Sequence, residues 1–329
     1  MDSKSGLTRR SFIKKGAVVT AVGAACVSGI AETASAKSGT YATLIDLTKC
    51  DGCKNEPMPK CVEACRTINQ KRFPEPKEPI KDLWPQKVHD DWSKKRDVAD
   101  TLTPYNWTTV QRVEMEGEEL FIPRRCMHCD NPPCASLCPF GALSKYSDGS
   151  VVTNHDLCLG GAKCKSVCAW HIPQRQSGVG LYLKLQPVPA GGGVMYKCDL
   201  CHDRIKNGQI PVCVEACDKR LGKKRPLSFG EREEILKIAH ERAKEIDGYI
   251  YGEKENGGTA TLYVSNVPFD KIDSKLRERK VSLLFGKVEN PLRDVNQWAK
   301  GFILGPVVSV LGAIGLAVYH RKQEKKEIA

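Results

Sequence analysis

Cysteine carries the chemistry of this chain. Fifteen of its sixteen cysteines lie in four tight groups after residue 49. The groups read Cys50-x2-Cys53-x7-Cys61-x3-Cys65, Cys126-x2-Cys129-x4-Cys134-x3-Cys138-Pro139, Cys158-x5-Cys164-x3-Cys168 and Cys198-x2-Cys201-x11-Cys213-x3-Cys217. Thiolates two residues apart can both turn toward one iron–sulfur cube. A thiolate four positions beyond the third leaves along a short helix and can ligate a different cube. Four such groups imply a wire for electrons rather than a reaction centre.

Zinc ribbons also use Cys-x2-Cys pairs, but they do not require the x3-Cys ending that closes all four groups here. Disulfides would suit an exported chain. Against them, fifteen is an odd number, Cys-x2-Cys bridges are strained, and disulfide scaffolds belong to small domains rather than to 329 residues. The spacing is that of two-cluster ferredoxins, written twice. A zinc- or disulfide-stabilised periplasmic scaffold is the alternative of a different class, and it would contain no iron.

The elements that hold these groups lie between two ends of another character. Residues 1–36 read as an export leader. Thr8-Arg9-Arg10-Ser11-Phe12-Ile13-Lys14-Lys15 is a twin-arginine sequence, Gly16 to Ile30 is mildly apolar, and Ala34-Ser35-Ala36 is a small-residue cleavage site. That route carries folded proteins, so clusters can be built in a reducing cytoplasm before export. At the other end, Phe302 to Tyr319 is an uncharged run of eighteen residues, which as a helix spans roughly 27 Å and suits a bilayer core. Trp298 and Tyr319 flank it, and His320-Arg321-Lys322 with Lys325-Lys326 follow. By the positive-inside rule the tail stays cytoplasmic and the cluster domain is periplasmic. Both ends predict a single-pass protein of the inner (cytoplasmic) membrane.

The formal net charge of +12 suggests a nucleic-acid binder until it is apportioned. The leader holds Lys4, Arg9, Arg10, Lys14 and Lys15 against Asp2 and Glu32, so +3 departs on cleavage and +9 remains. Each thiolate-ligated cluster carries about −2 when oxidised. Four would nearly neutralise the mature chain, which leaves no case for nucleic acid. Arg124, Arg125, Lys163 and Lys165 stand beside the cysteines as counter-charges or as ordinary solvated surface. His128, His155, His171 and His202 also lie near cysteine groups and read as hydrogen-bonding or surface residues rather than as ligands.

Short alternating strands should lead into the groups: Tyr41 to Asp46 before the first, Glu119 to Pro123 before the second, Val151 to Thr153 before the third. Residues 66–117 form an insertion in which Trp84, Trp92 and Trp107 read as packing residues. Ser228 to Gly248 is expected to be one amphipathic helix. Ser228-x2-Glu231 would be its capping box, Ile235, Ala239, Ala243 and Ile246 its buried face, and Gly248 its end. A further strand, Ala260 to Val264, should follow the Gly257-Gly258 turn. No nucleophile–base set and no molybdopterin or nickel ligand set stands out, so the chain reads as part of an oxidoreductase rather than an enzyme alone.

With these residues in view, the chain resembles the four-cluster ferredoxin-like subunits of respiratory membrane oxidoreductases. It is most similar in layout to the membrane-anchored iron–sulfur subunits of uptake nickel–iron hydrogenases, and nearly as similar to formate dehydrogenase beta subunits. The resemblance rests on the four groups, on Cys126-Met127-His128-Cys129 with Pro132-Pro133-Cys134, on Tyr251-Gly252-Glu253-Lys254 and on the terminal apolar run. It implies an α+β fold of two ferredoxin-like double-cluster modules plus one C-terminal transmembrane helix. The divisions would be leader 1–36, four-cluster domain 37–230, covering extension and linker 231–300, spanning helix 301–320 and tail 321–329.

The resemblance also implies crosswise pairing. One cluster would use Cys50, Cys53, Cys61 and Cys217, its neighbour Cys198, Cys201, Cys213 and Cys65, and a third Cys126, Cys129, Cys134 and Cys168. The fourth set departs from the family. A cysteine is expected at position 161, where this chain has Gly161, leaving Cys158, Cys164 and Cys138. Three thiolates suit a three-iron cluster, as in nitrate reductase beta subunits, or a four-iron cluster with a non-cysteine ligand near Gly161. The implied cofactors are three [4Fe-4S] clusters and one [3Fe-4S] cluster. The implied partners are a catalytic subunit, either a nickel–iron hydrogenase or a molybdopterin enzyme, and a quinone- or haem-binding membrane subunit. Because the chain carries its own twin-arginine leader, as hydrogenase-type subunits do, the hydrogenase reading leads.

Overall fold

Tyr41–Asp46 (β1) alternates side chains between two covered faces and therefore becomes the centre of a sheet rather than its edge. In the computed structural model it pairs in parallel with β10 (Thr261–Ser265) and antiparallel with β8 (Leu227–Glu231). Strand β9 (Tyr249–Tyr251) completes the order β8-β1-β10-β9. The described residues are 40–80, 82, 89–115, 117–185, 191–278 and 285–293. The leader 1–36, the apolar run 302–319, Trp84 and Trp298 lie outside them. Among the described residues no helix is long and apolar enough to cross a membrane.

Three antiparallel pairs carry the rest of the strand structure: β2 (Thr109–Met115) with β3 (Glu118–Arg124), β4 (Leu143–Lys145) with β5 (Val151–Thr153), and β6 (Gln174–Gln176) with β7 (Val194–Tyr196). The expected strands at 41–46, 119–123, 151–153 and 260–264 are thus present, each within a residue or so of its expected bounds. The first and last pair in one sheet, and the other two belong to separate hairpins.

The helices in chain order are α1 (Lys60–Asn69), α2 (Pro133–Ser136), α3 (Lys163–Val167), α4 (His202–Lys206), α5 (Val212–Leu221), α6 (Arg232–Glu245) and α7 (Phe269–Glu278). Helix α1 packs on α5, and α2 on α3. The first pair shares a sequence: Pro59-Lys60-Cys61-Val62-Glu63-Ala64-Cys65 and Pro211-Val212-Cys213-Val214-Glu215-Ala216-Cys217. In each, the proline precedes the helix as its N-cap, a place where its fixed φ suits entry to a helix.

Helix α6 corrects one expectation. Residues 227–231 are strand, not helix, because their backbone completes the ladder to β1, from Ile45↔Leu227 to Tyr41↔Glu231. With its backbone committed to the sheet, Ser228 caps nothing. The helix starts one turn later, at Arg232, without a side-chain cap. Its expected buried face holds: Ile235, Ala239 and Ala243 pack on Ala42, Leu44, Leu262 and Val264. The opposite face of the sheet turns toward the cysteines. There Thr261 Oγ1 donates to Cys126 O at 3.0 Å and Tyr263 OH donates to Pro123 O at 2.9 Å.

The insertion is tied down by its own polar bonds. Arg66 donates to the carbonyls of Arg96 at 2.6 Å and Tyr105 at 3.0 Å. Trp107 is buried and packs near His155 and Tyr196, which fits its reading as a packing residue. Trp92 is half-buried.

Candidate metal centres

Each cysteine loop is bent by residues in the left-handed region. Gly52 and Cys53, His128, Gly160 and Ala162, and Leu200 and Cys201 have φ between +51° and +68°. Left-handed residues in such loops turn successive peptide N–H groups into a concavity that favours anions, iron–sulfur sites among them. Peptide N–H groups do reach the sulfurs: Met195 N donates to Cys158 Sγ and Leu200 N to Cys198 Sγ, both at 3.4 Å. Cys168, Cys201 and Cys217 receive similar bonds from Ile172, Val212 and Leu227.

All fifteen described cysteines are free thiols, so no disulfide contributes to this fold among the described residues. Their mutual electrostatics shows which lie together. Burial pushes Cys50 up to about 12, reinforced by Cys217 and Cys53. Cys61 is raised by burial and then by Cys213, Cys50, Cys217 and Cys53. Burial and then Cys213 raise Cys65 to about 12, while Cys201 is raised by burial and by Cys213 and Cys198. Cys129 is raised by burial and by Cys126, Cys168 and Cys134. Cys164 rises to about 12 through burial, Cys158 and Cys138.

The structure therefore brings together Cys50, Cys53, Cys61 and Cys217, then Cys65, Cys198, Cys201 and Cys213, then Cys126, Cys129, Cys134 and Cys168, and finally Cys138, Cys158 and Cys164. The sets also follow one another. Cys61 feels Cys213, Cys198 feels Cys126, and Cys134 feels Cys164.

Thiols raised as far as those of Cys50, Cys65 and Cys164 stay protonated at neutral pH without metal, and a bound cation makes them thiolates. Among the described residues no three His, Cys, Asp or Glu side chains converge closely enough to hold a single metal ion. The surrounding donors suit a larger anion. Val151 N donates to His128 Nδ1 at 2.9 Å, which places the ring hydrogen on Nε2. That atom is buried with no partner, as are Nε and Nη2 of Arg125. Both residues adjoin or lie between cysteines of the sets. Sulfide-bearing clusters supply the acceptors these donors lack, so the residues fit the group the spacing implies.

The histidines behave as expected of non-ligands in their bonding. His202 Nδ1 meets Asp148 Oδ2 at 2.6 Å, and His171 is exposed. Burial, followed by the nearby cations Lys197, Arg125 and Lys145, keeps His128 neutral. Burial also lowers His155 to about 4, with Arg72 adding to the effect.

Of the four proposed counter-charges, Arg125 is fully buried and donates from Nη1 to Cys213 Sγ at 3.0 Å. Arg124 is buried over the Phe285 ring at 4.2 Å. Lys163 is exposed, and Lys165 donates to Gln174 Oε1 at 3.1 Å. Sequence reasoning missed Lys197 and Lys145. Their adjacency to cysteines in space is tertiary, although Lys197 immediately precedes Cys198.

The last set sits under crossing glycines. A Cβ at Gly160 would lie 2.5 Å from Gly193 O, and Gly160 has φ +68°. Gly160→Ala is therefore expected to cost about 1–3 kcal/mol and to lower the thermal midpoint, as calorimetry on the iron-loaded protein would record. Gly161, by contrast, has open space where a Cβ would stand. It lines a cavity of about 60 Å³ together with Cys138, Cys158 and Cys164.

The 4Fe-4S dicluster domain family matches residues 49–142, and a second family of the same description matches residues 118–225. The hydrogenase-2 operon protein HybA of Escherichia coli O157:H7 is 30% identical over 309 residues, covering 81% of this chain and 83% of that protein. The chain belongs to the 4Fe-4S dicluster iron–sulfur family. A protein of Nitratidesulfovibrio vulgaris is 33% identical over 280 residues, 80% of this chain but 65% of that protein's length. The formate dehydrogenase-O iron–sulfur subunit of Escherichia coli K12 is 29% identical over 288 residues, covering 84% of this chain and 79% of the relative. A 4Fe-4S dicluster protein carries several clusters whose chemistry is electron transfer. This one is an electron-transfer component.

Proposed function

We propose that this dicluster protein is the electron-transfer subunit of a respiratory membrane complex. It would receive electrons from a catalytic subunit and deliver them to a quinone-reducing membrane partner. The observation that carries the reading is the unbroken succession of four thiol sets, from the set of Cys50 to the set of Cys138. In this reading the first three sets hold [4Fe-4S] clusters through their four cysteines, and Cys138, Cys158 and Cys164 hold a [3Fe-4S] cluster. The glycine at 161, with open space where a Cβ would stand, supports the three-iron assignment.

The twin-arginine leader and the basic tail after residue 319 support a periplasmic cluster domain anchored by one helix at 302–319. Hydrogen oxidation is the favoured source of electrons, on the resemblance to HybA and the chain's own leader. A formate dehydrogenase partner is the second reading, favoured by the similarity to a formate dehydrogenase iron–sulfur subunit.

Anaerobic purification from detergent-solubilised membranes distinguishes them. A copurifying nickel-containing polypeptide is the expected result. A molybdenum- or tungsten-containing partner would select the second reading. Recovery only in the soluble fraction, without a partner, would overturn the membrane-complex reading.

A further inference from the structure

Lys197 is buried, 4% exposed, and its ammonium donates only to carbonyls, those of Val151 and of Cys198 at 3.0 Å. Among the described residues it forms no ion pair. The carboxylate next but one in sequence, Asp199, is taken by Arg72 at 2.6 Å. A buried cation without a carboxylate is costly unless another anion compensates it. The nearest anions available are the thiolates. Val151, whose carbonyl takes the ammonium, also donates its N–H to His128 Nδ1 at 2.9 Å, and His128 stands between Cys126 and Cys129. The charge therefore stands between the set of Cys198 and the set of Cys126, the middle two.

Further buried positive charge stands beside the same middle sets. Arg125 bonds Cys213 Sγ at 3.0 Å, while half-buried Lys145, which donates to His128 O at 3.3 Å beside Cys129, is partly offset by Asp130 at 3.8 Å. The outer set of Cys50 differs. Its adjacent charges, Asp51 and Arg220, cancel in a bidentate pair at 2.7 and 2.9 Å near the surface. Positive charge close to a cluster favours its reduced, more anionic state and raises its potential.

Resting on the cluster reading above, we infer that Lys197 is a potential-setting residue that makes the two middle clusters easier to reduce than the outer cluster of Cys50. The wire then has a central well: an electron entering at either end settles in the middle before it leaves. Lys197 does this by fixed charge, without moving a proton and without ligating iron.

The test is an EPR-monitored redox titration of the purified complex carrying Lys197→Gln or Lys197→Arg, with iron content measured in parallel. Lys197→Gln with full iron should lower the reduction equilibrium of at least one middle cluster tenfold or more, about 59 mV for a one-electron couple. Lys197→Arg, which keeps the charge, should stay within a few-fold of wild type. Full iron with unchanged potentials in Lys197→Gln overturns the proposal.

Should Lys197→Gln lose iron, the wild-type titration decides, with the Cys50 cluster marked by the altered signal of Cys50→Ser. Middle clusters reduced before the Cys50 cluster support the inference, and the reverse order overturns it. Wild-type complex without iron would sink the cluster reading itself, a failure distinguishable from that of Lys197.

Discussion

Replacing Gly161 with cysteine is expected to convert the fourth set from a three-iron to a four-iron site. Gly161 stands where the third group lacks its expected cysteine, and a Cβ built there meets no atom within 4 Å. Its φ is not in the left-handed region, so a cysteine would not strain the loop. Cys138, Cys158 and Cys164 already line the same small cavity. In wild type, low-temperature EPR of the oxidised protein should show a three-iron signal. In Gly161→Cys that signal should vanish while iron rises by about one atom per chain. The added thiolate charge should also lower the potential of that cluster. A wild-type protein with no oxidised three-iron signal would remove the assignment, and a persistent signal in the variant would show that residue 161 does not face the open iron.

The second large effect concerns the fold itself. Stripping the iron by anaerobic chelation is expected to unfold the cysteine-bearing modules. Helices α2 and α3 are four and five residues long, and strands β4 to β7 are three residues each. Helices and hairpins of that size do not stand alone in water. Cys61, Cys65, Cys126, Cys158, Cys164, Cys198, Cys213 and Cys217 all belong to the main apolar core. Without clusters that core also retains Arg125 and Lys197, buried cations that lose their compensating anions. Metal-binding free energy is here folding free energy, and several clusters together should exceed a typical domain stability of about 5–15 kcal/mol.

Circular dichroism during chelation should show loss of the cooperative melt. The sheet packed on α6 has an apolar core of its own, built on Leu44, Ile235, Leu262 and Val264, and should account for any residual signal. An apo protein with an unchanged melt would contradict this view.

Much of the site was legible in the chain because cluster loops are local. Spacing placed the fifteen thiols in groups, and β-branched alternation placed the strands beside them. The crosswise pairing came from resemblance alone; the structure adds that cysteines distant in sequence, such as Cys50 and Cys217, lie near each other. Where the reading failed, a partner distant in sequence decided the outcome. Ser228 has the pattern of a helix cap, but its segment pairs with β1, nearly 190 residues earlier.

Lys197 looks in sequence like any basic surface residue, and Arg125 reads there as counter-charge or surface alike. Only the closing of separate loops around them makes them buried. The repeat Pro-x-Cys-Val-Glu-Ala-Cys was legible in plain letters, and it marks α1 and α5, two helices that pack on each other. Gly160 and Gly193 gave no signal either, because the need for a missing Cβ appears only when their two loops cross.

Iron and acid-labile sulfide analysis of anaerobically prepared protein tests the central claim most directly. The expected content is about fifteen iron and sixteen sulfide atoms per chain, from three four-iron clusters and one three-iron cluster. A colourless preparation with zinc or no metal, fully folded, would contradict it.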